Sequence, residues 1–165
     1  MEKTKYYKVI NSIMGVPGIQ TYQIGLNISE KFNIESKDGI YFTDIKHIFS
    51  YINYGPIIAV LTIPDDVEIY RYDEMLSNDS EPTPGWFAEK VMIEKFYDKN
   101  TFYHILSLII QGADVSCADY AVIKYALMHN KHLFDKIKRS VAFEYFTNHL
   151  DIDKIVREYY GLGDE

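Results

Sequence analysis

The hydrophobic pattern of this chain of 165 residues changes near residue 99, and the change limits the folds that are open to it. Before residue 99, short runs rich in Val, Ile, Tyr and Phe alternate with turn residues, a pattern typical of β-strands. After residue 99, apolar residues recur three and four positions apart, as they do on one face of a helix. The sequence therefore predicts an α+β fold in two parts. A small mixed or antiparallel sheet with one helix covers residues 1–97, and a short helical appendage covers residues 98–165.

The N-terminal part contains several predicted strands and one predicted helix. Ile57–Ile63 is an unbroken apolar run, which predicts a strand buried on both faces. Asp44 is suited to cap a helix over Ile45–Tyr54, and Gly55 and Pro56 are suited to end it. The other predicted strands are Lys5–Ile10, Gly39–Phe42, Val67–Tyr72 and Val91–Ile93.

The C-terminal part contains predicted helices joined by links of a few residues, which favours antiparallel packing of neighbours. In the first, Asp98 or Asn100 caps a helix over Thr101–Gln111, and Gly112 ends it. The remaining predicted helices are Tyr120–His129, Leu133–Arg139, Val141–Thr147 and Ile152–Tyr160.

The charge balance disfavours two classes of partner. The chain has 17 Lys and Arg against 24 Asp and Glu, a net charge of −7. Because a protein that binds phosphates needs a basic face, we expect neither nucleic-acid binding nor binding to an anionic membrane. The single cysteine, Cys117, cannot form an internal disulfide, which fits a reducing compartment. We see no signal-type apolar segment and no run long enough to span a membrane, so we expect an intracellular protein that is not secreted.

The C-terminal part resembles ankyrin repeats. Leu108–Ser116 looks like the end of one repeat and the turn into the next, and Gly161–Asp164 resembles another repeat end. The segments Asn130–Leu133 and Asn148–Asp151 match the turn between the two helices of a repeat. The chain departs from the family at Ala121–Lys124, where an intact repeat opens with Thr-Pro-Leu-His. The resemblance implies a degenerate, truncated ankyrin-like segment of two units at most, whereas about three units are needed for independent stability.

The N-terminal part resembles a domain that precedes such repeats in ankyrin-repeat proteins of large amoeba-infecting DNA viruses. Five segments carry this resemblance in the same order along the chain: Tyr6–Asn11, Gly18–Asn27, Gly39–Asp44, Ile58–Pro64 and Trp86–Ile93. The resemblance implies a mimivirus-like protein located in the host cytoplasm or in the virion.

The two resemblances together imply a non-enzymatic interaction module that binds a host or viral protein. In ankyrin arrays the turns and inner helices form the binding face. This maps the expected partner-binding residues to Asp114, Asp119, Tyr120 and His129. Trp86 follows a polar, proline-rich stretch at residues 77–85, and we predict it to be an interface anchor because Trp is enriched at such positions. A truncated array also exposes an apolar end, so homo-oligomerisation stays open as an alternative.

A more distant resemblance gives an enzymatic alternative. Gly39–Asp44 is similar to the block in ADP-ribosyltransferases whose tyrosine stacks on nicotinamide, which assigns that role to Tyr41. The same likeness assigns Glu89 to the glutamate that orients the ribose hydroxyl. The family histidine that binds the ribose falls on Pro17, which lacks both a side-chain donor and a backbone N–H. The alternatives are therefore an ADP-ribosyltransferase-like enzyme and an NAD- or nucleotide-binding pseudoenzyme. The interaction module would need no cofactor, whereas these alternatives would bind NAD.

The histidines do not predict a metal site. His129 and His132 are three residues apart, His104 could come near them, and zinc binds the ring nitrogens of three such histidines. Two of them fall at turns between helices, where histidines of ankyrin type bond the backbone. We therefore predict no metal.

Overall fold

Strands dominate the part of the chain that the computed structural model describes, which is residues 2–11, 21–76, 81–99 and 101–114. The strands of this part are β1 (Tyr6–Ile10), β2 (Gly25–Ile28), β3 (Ile40–Phe42), β4 (Ile57–Thr62), β5 (Tyr70–Arg71), β6 (Trp86–Ala88) and β7 (Lys90–Asp98). Its helical elements are a 3₁₀ helix (Ile48–Tyr54) and α1 (Phe102–Gln111).

The strands form two antiparallel sheets. One sheet has four strands in the order β1-β4-β7-β2, and the other has three in the order β3-β6-β5. Glu89 alone separates β6 from β7, so one extended segment passes from the small sheet into the large one. The backbones of Tyr7 and Thr43 exchange two hydrogen bonds of 2.8 Å, which tie β1 to the end of β3. The two sheets are therefore joined twice, once through the β6–β7 segment and once through the Tyr7–Thr43 hydrogen bonds.

The predicted burial of Ile57–Ile63 on both faces is confirmed over most of its length. β4 pairs with β1 on one side and with β7 on the other, and its residues from Ile58 to Leu61 have no exposed surface. A strand that is apolar on both faces fits only at such a central position. One core cluster lies against β4 and consists of Ile10, Ile40, Phe42, Ala59, Leu61, Ala88, Val91 and Ile93.

The helix predicted over Ile45–Tyr54 is a shorter 3₁₀ helix. Ile, Phe, Ser, Tyr and Asn, which make up this stretch, are all weak α-helix formers. Asp44 caps the turn before this helix rather than the helix itself: its Oδ1 accepts a hydrogen bond from the His47 backbone N–H (3.0 Å) and lies 2.7 Å from the His47 Nδ1. Gly55 ends the helix where the backbone runs against β1, since a Cβ there would lie 2.2 Å from the Ile10 carbonyl oxygen.

Helix α1 packs against the large sheet through a few direct contacts. Its Ile105 and Leu108 are fully buried, and the Tyr97 ring of β7 lies 5.0 Å from the His104 ring. Gly112 has a φ of +120°, a conformation that glycine adopts at helix ends, so the predicted stop is confirmed. Just beyond it, the Asp114 N–H donates to the Lys46 carbonyl oxygen (3.0 Å).

The predicted fold class is wrong for the part of the chain that the structure describes. That part is mainly two antiparallel sheets, and neither a helical appendage nor an ankyrin-type helix pair is found in it. The error has a physical cause: β2 and β6 form through pairing with distant strands, which a local pattern does not reveal. The predicted strand over Val67–Tyr72 is reduced to β5. Residues 115–165, which hold the other predicted helices and most of the ankyrin-like segment, lie outside the described residues.

Candidate ligand-binding cavity

A cavity of about 230 Å³ opens beside β1 and β3, between the 3₁₀ helix and the segments that flank β5 and β6. Most of the side chains that line it are aromatic, with one lysine and one carboxylate among them. The lining residues are Tyr7, Lys8, Val9, Tyr41, Phe42, Thr43, Ile48, Tyr51, Tyr54, Tyr72, Glu74, Gly85 and Trp86. A concave site with an apolar lining and few polar groups is the usual form of a small-ligand site.

Backbone pairing beyond β5 places Tyr72 and Glu74 on the cavity wall. The Tyr72 N–H donates to the Gly85 carbonyl (2.9 Å), and Glu74 exchanges two backbone bonds with Thr83 (2.9 and 2.7 Å). Side chains two residues apart on an extended segment share a face, so Tyr72 and Glu74 point the same way. Gly85 allows the close approach, because a Cβ there would lie 2.8 Å from the Tyr72 carbonyl oxygen.

Lys8 brings a positive charge into the cavity from β1. Its Nζ donates to the Tyr41 carbonyl oxygen (2.7 Å) and lies 5.5 Å from the centre of the Tyr22 ring. Desolvation by the surrounding protein lowers the pKa of this amine from 10.5 to about 8, while the charge of Glu74 opposes the shift. An ammonium has three N–H donors, and among the described residues Lys8 uses one of them on a carbonyl, so donors remain there for a ligand.

Glu74 is the acidic counterpart of Lys8. Burial raises the pKa of this half-buried carboxyl above its usual value, and the charge of Lys8 partly reverses the shift. Among the described residues, however, no ion pair within 4.0 Å joins the two groups. The cavity thus presents a donor and an acceptor that influence each other without direct contact.

The tyrosine hydroxyl groups of the cavity differ in their surroundings. The Tyr7 hydroxyl donates to Gln111 Oε1 of α1 (2.7 Å), and burial raises its pKa to about 12. The Tyr41 hydroxyl donates to the Lys37 carbonyl oxygen, and its ring meets the Tyr72 ring edge-on at 5.2 Å. Desolvation, with the negative charge of Glu74 as a smaller cause, raises the pKa of Tyr51 above its usual range. These hydroxyl groups are therefore neutral at physiological pH and can both donate and accept.

The two residues of the enzymatic alternative have different surroundings. Tyr41 lines the cavity, whereas Glu89 is exposed at the junction of β6 and β7 and is not part of the lining. Pro17 lies outside the described residues. The roles of Tyr41 and Glu89 in the NAD alternative stay predictions.

The predicted partner-binding residues have different positions in the fold. Trp86 is half-buried at the cavity wall, where Phe42 stacks on it at 6.5 Å and the Arg71 guanidinium lies 4.8 Å from its ring centre. Asp114 is half-buried beyond α1, held by its backbone bond to Lys46. Asp119, Tyr120 and His129 lie outside the described residues. Binding of a partner by any of these residues stays a prediction.

Sequence reasoning missed Lys8 and Glu74. The one local signal for Lys8 is its place inside an otherwise aromatic and apolar strand, Tyr6–Ile10, where a lysine on a partly buried face needs a reason. Glu74 carries no local signal, because its position depends on pairing with Thr83 across the 77–80 segment.

Comparisons with known proteins find similarity to a curated viral protein, and no family model matches. The chain is 25% identical over 181 aligned residues to a curated protein of Acanthamoeba polyphaga mimivirus named "Putative ankyrin repeat protein R868", covering all of this chain and 88% of that protein. No solved structure matches the chain. These findings agree with the resemblance to viral ankyrin-repeat proteins and lend no support to the likeness to ADP-ribosyltransferases.

The described residues were also compared with the requirements of a membrane-spanning helix and of a metal site. No helix within them is both long and apolar enough to cross a membrane. No group of three or more His, Cys, Asp or Glu side chains within them is arranged to hold a metal ion.

Proposed function

We propose that this chain is a non-enzymatic interaction module that binds a host or viral protein. The end-to-end similarity to a mimivirus protein named for ankyrin repeats supports this proposal, since such repeats present extended binding surfaces. Host cytoplasm or virion is the location that goes with it. Its partner is a protein rather than a nucleic acid, in keeping with the net charge of −7.

The observation that carries the proposal is an apolar strip on β2 and its neighbour β7. Leu26 and Ile28 lie on one face of β2 and are 42% and 52% exposed, and Ile24, which is 56% exposed, directly precedes the strand. Met92 of β7 pairs with Leu26, shares that face and is 38% exposed. Exposed large apolar side chains that lie next to one another mark a contact surface more strongly than scattered single ones do.

A capture experiment with matched variants tests the proposal. The wild-type chain, a Leu26→Ser/Ile28→Ser variant and a Met75→Ser control are immobilised and exposed to lysate of infected Acanthamoeba. Met75 is 62% exposed and lies away from the strip, so its loss should not matter. We expect at least one protein to be retained by the wild type and the control and lost with the strip variant. The purified candidate must then bind the wild type directly.

Two results would contradict the proposal. One is equal retention of every captured protein by the strip variant and the wild type, provided both melt at the same temperature. The other is concentration-dependent self-association in light scattering that the strip variant abolishes, because the strip would then join two copies of this chain.

A further inference from the structure

The cavity carries an inference that does not depend on the proposed function. Its walls present several aromatic side chains, and three of them, Tyr51, Tyr54 and Tyr72, combine an apolar ring with a hydroxyl group. Rings of this kind pack against apolar C–H surfaces, while their hydroxyl groups donate and accept hydrogen bonds. The walls therefore fit a ligand that has an apolar face and polar edges.

The two charged groups restrict the charge of the ligand. A cation entering the cavity would meet the Lys8 ammonium, and an anion would meet the Glu74 carboxylate. A neutral ligand with both hydrogen-bond donors and acceptors is repelled neither by the Lys8 ammonium nor by the Glu74 carboxylate. It can accept a hydrogen bond from Lys8 and donate one to Glu74, which lie too far apart to satisfy each other.

The size of the cavity restricts the ligand further. Its volume of about 230 Å³ is below the range of roughly 300–1,000 Å³ that is typical for drug-sized ligands. A single six-membered ring with its substituents fits this limit, whereas a dinucleotide exceeds it.

We propose that this cavity binds one neutral sugar residue, with its C–H face against the tyrosine rings and its hydroxyl groups between Lys8 and Glu74. A pyranose ring combines the required features, because its ring C–H groups are apolar and each hydroxyl group both donates and accepts. Lys8 and Glu74 act as the polar contacts that select and orient the ring.

The single tryptophan of the chain makes the test direct. Trp86 lines the cavity, so its fluorescence reports what enters it. The full chain is titrated with glucose, galactose, mannose, xylose and N-acetylglucosamine, each to high millimolar concentration. Sorbitol serves as an open-chain polyol control, because polyols also stabilise proteins through exclusion from their surface. Tetramethylammonium and acetate serve as the cationic and anionic probes.

Variants separate the cavity from the rest of the surface. We expect at least one of the sugars to change the Trp86 emission saturably, with affinity lowered about tenfold or more in Lys8→Met and in Glu74→Gln. Lys5→Met is the matched control, since Lys5 lies on the same end of the chain, pairs with Glu94 (3.3 Å) and does not line the cavity. If either cavity variant fails to fold, Tyr51→Phe, which removes a hydroxyl group and keeps the ring, replaces it.

Three outcomes would overturn the proposal. The first is that no sugar of the panel produces a saturable change. The second is that a sugar binds with equal affinity to the wild type and to the folded cavity variants. The third is that tetramethylammonium or acetate saturates the signal while the sugars do not, which would make the cavity a site for ions.

Discussion

Lys8 makes the stability of the chain depend on pH in a defined direction. Its pKa is about 8 in the folded chain against 10.5 as the ordinary value, so between these pH values the unfolded chain binds more protons than the folded one. Stability therefore rises with pH across this window, and the cost of burying the charge is present in full below it. The cost is on the order of 3 kcal/mol, because the two pKa values differ by about 2.5 and each pKa unit corresponds to about 1.4 kcal/mol.

The Lys8→Met variant isolates this effect, because methionine cannot titrate. We expect the variant's unfolding free energy, relative to the wild type, to fall by about 2 kcal/mol between about pH 7 and pH 10. Urea denaturation of both chains at several pH values measures the difference. Burial raises the pKa values of Tyr7 and Tyr22 from 10.0 to about 12. Ionisation of these tyrosines therefore lowers the stability of both chains alike, and only above pH 10. Parallel pH curves for the two chains would show that Lys8 is not desolvated.

At the scale of elements, several hydrogen bonds join α1 to the large sheet, and one of them comes from β1. The buried Tyr7 hydroxyl of β1 donates to Gln111 Oε1 at 2.7 Å, and the Gln111 Nε2 donates to Ser107 Oγ at 3.0 Å. We expect Tyr7→Phe to cost about 1 kcal/mol of stability, the usual value for a neutral hydrogen bond. Hydrogen exchange should show the extra opening at the backbone amides of 105–111 rather than in β4.

A double-mutant cycle with Gln111→Ala assigns that cost to the pair. Once Gln111 is replaced, Tyr7→Phe should cost clearly less than it does in the wild type. If the two changes add without interaction, the Tyr7 hydroxyl does not hold α1 through Gln111, and the effect of its removal lies elsewhere in the cavity.

The elements also show which parts of the fold a sequence of this kind can predict. β1 and β4 were predicted within about one residue, because their apolar and β-branched residues mark a buried strand locally. β2 was missed, since its outward face is apolar and its inward face holds Gly25 and the buried Asn27. Asn27 is satisfied by local bonds, its side chain donating to the Gln23 (2.8 Å) and Gly25 (3.0 Å) carbonyl oxygens.

Only some of the residues that line the cavity were predictable from the sequence, because the others depend on strand pairing. Tyr41 and Trp86 were chosen from resemblance and residue type, and both line the cavity. Lys8 and Glu74 face it because β1 pairs with β4 and because Glu74 pairs with Thr83, and neither pairing joins neighbours in the sequence. Electrostatic sites assembled by long-range pairing leave no spacing motif in the chain.

At the scale of the whole molecule, the position of α1 bears on where the folded unit ends. The sequence predicts a boundary between residues 97 and 98, which places α1 outside the N-terminal domain. Ile105 and Leu108 are nevertheless fully buried, and Ala113 is 3% exposed. Full burial of a large aliphatic side chain is worth about 1.5–3 kcal/mol, so losing α1 removes a large share of a typical stability of about 5–15 kcal/mol.

Truncation distinguishes the two boundaries. We expect a chain ending at residue 114 to unfold in one cooperative thermal transition, and a chain ending at residue 97 to show no such transition, because the surface under α1 becomes exposed. Circular dichroism melts of both chains measure this. The Ile105→Asp variant of the longer chain is a control that disrupts the same packing without shortening the chain, and it should melt at a much lower temperature. Equal, cooperative melting of the two truncated chains would place the boundary at 97 and make α1 a separate element that rests on an already stable sheet.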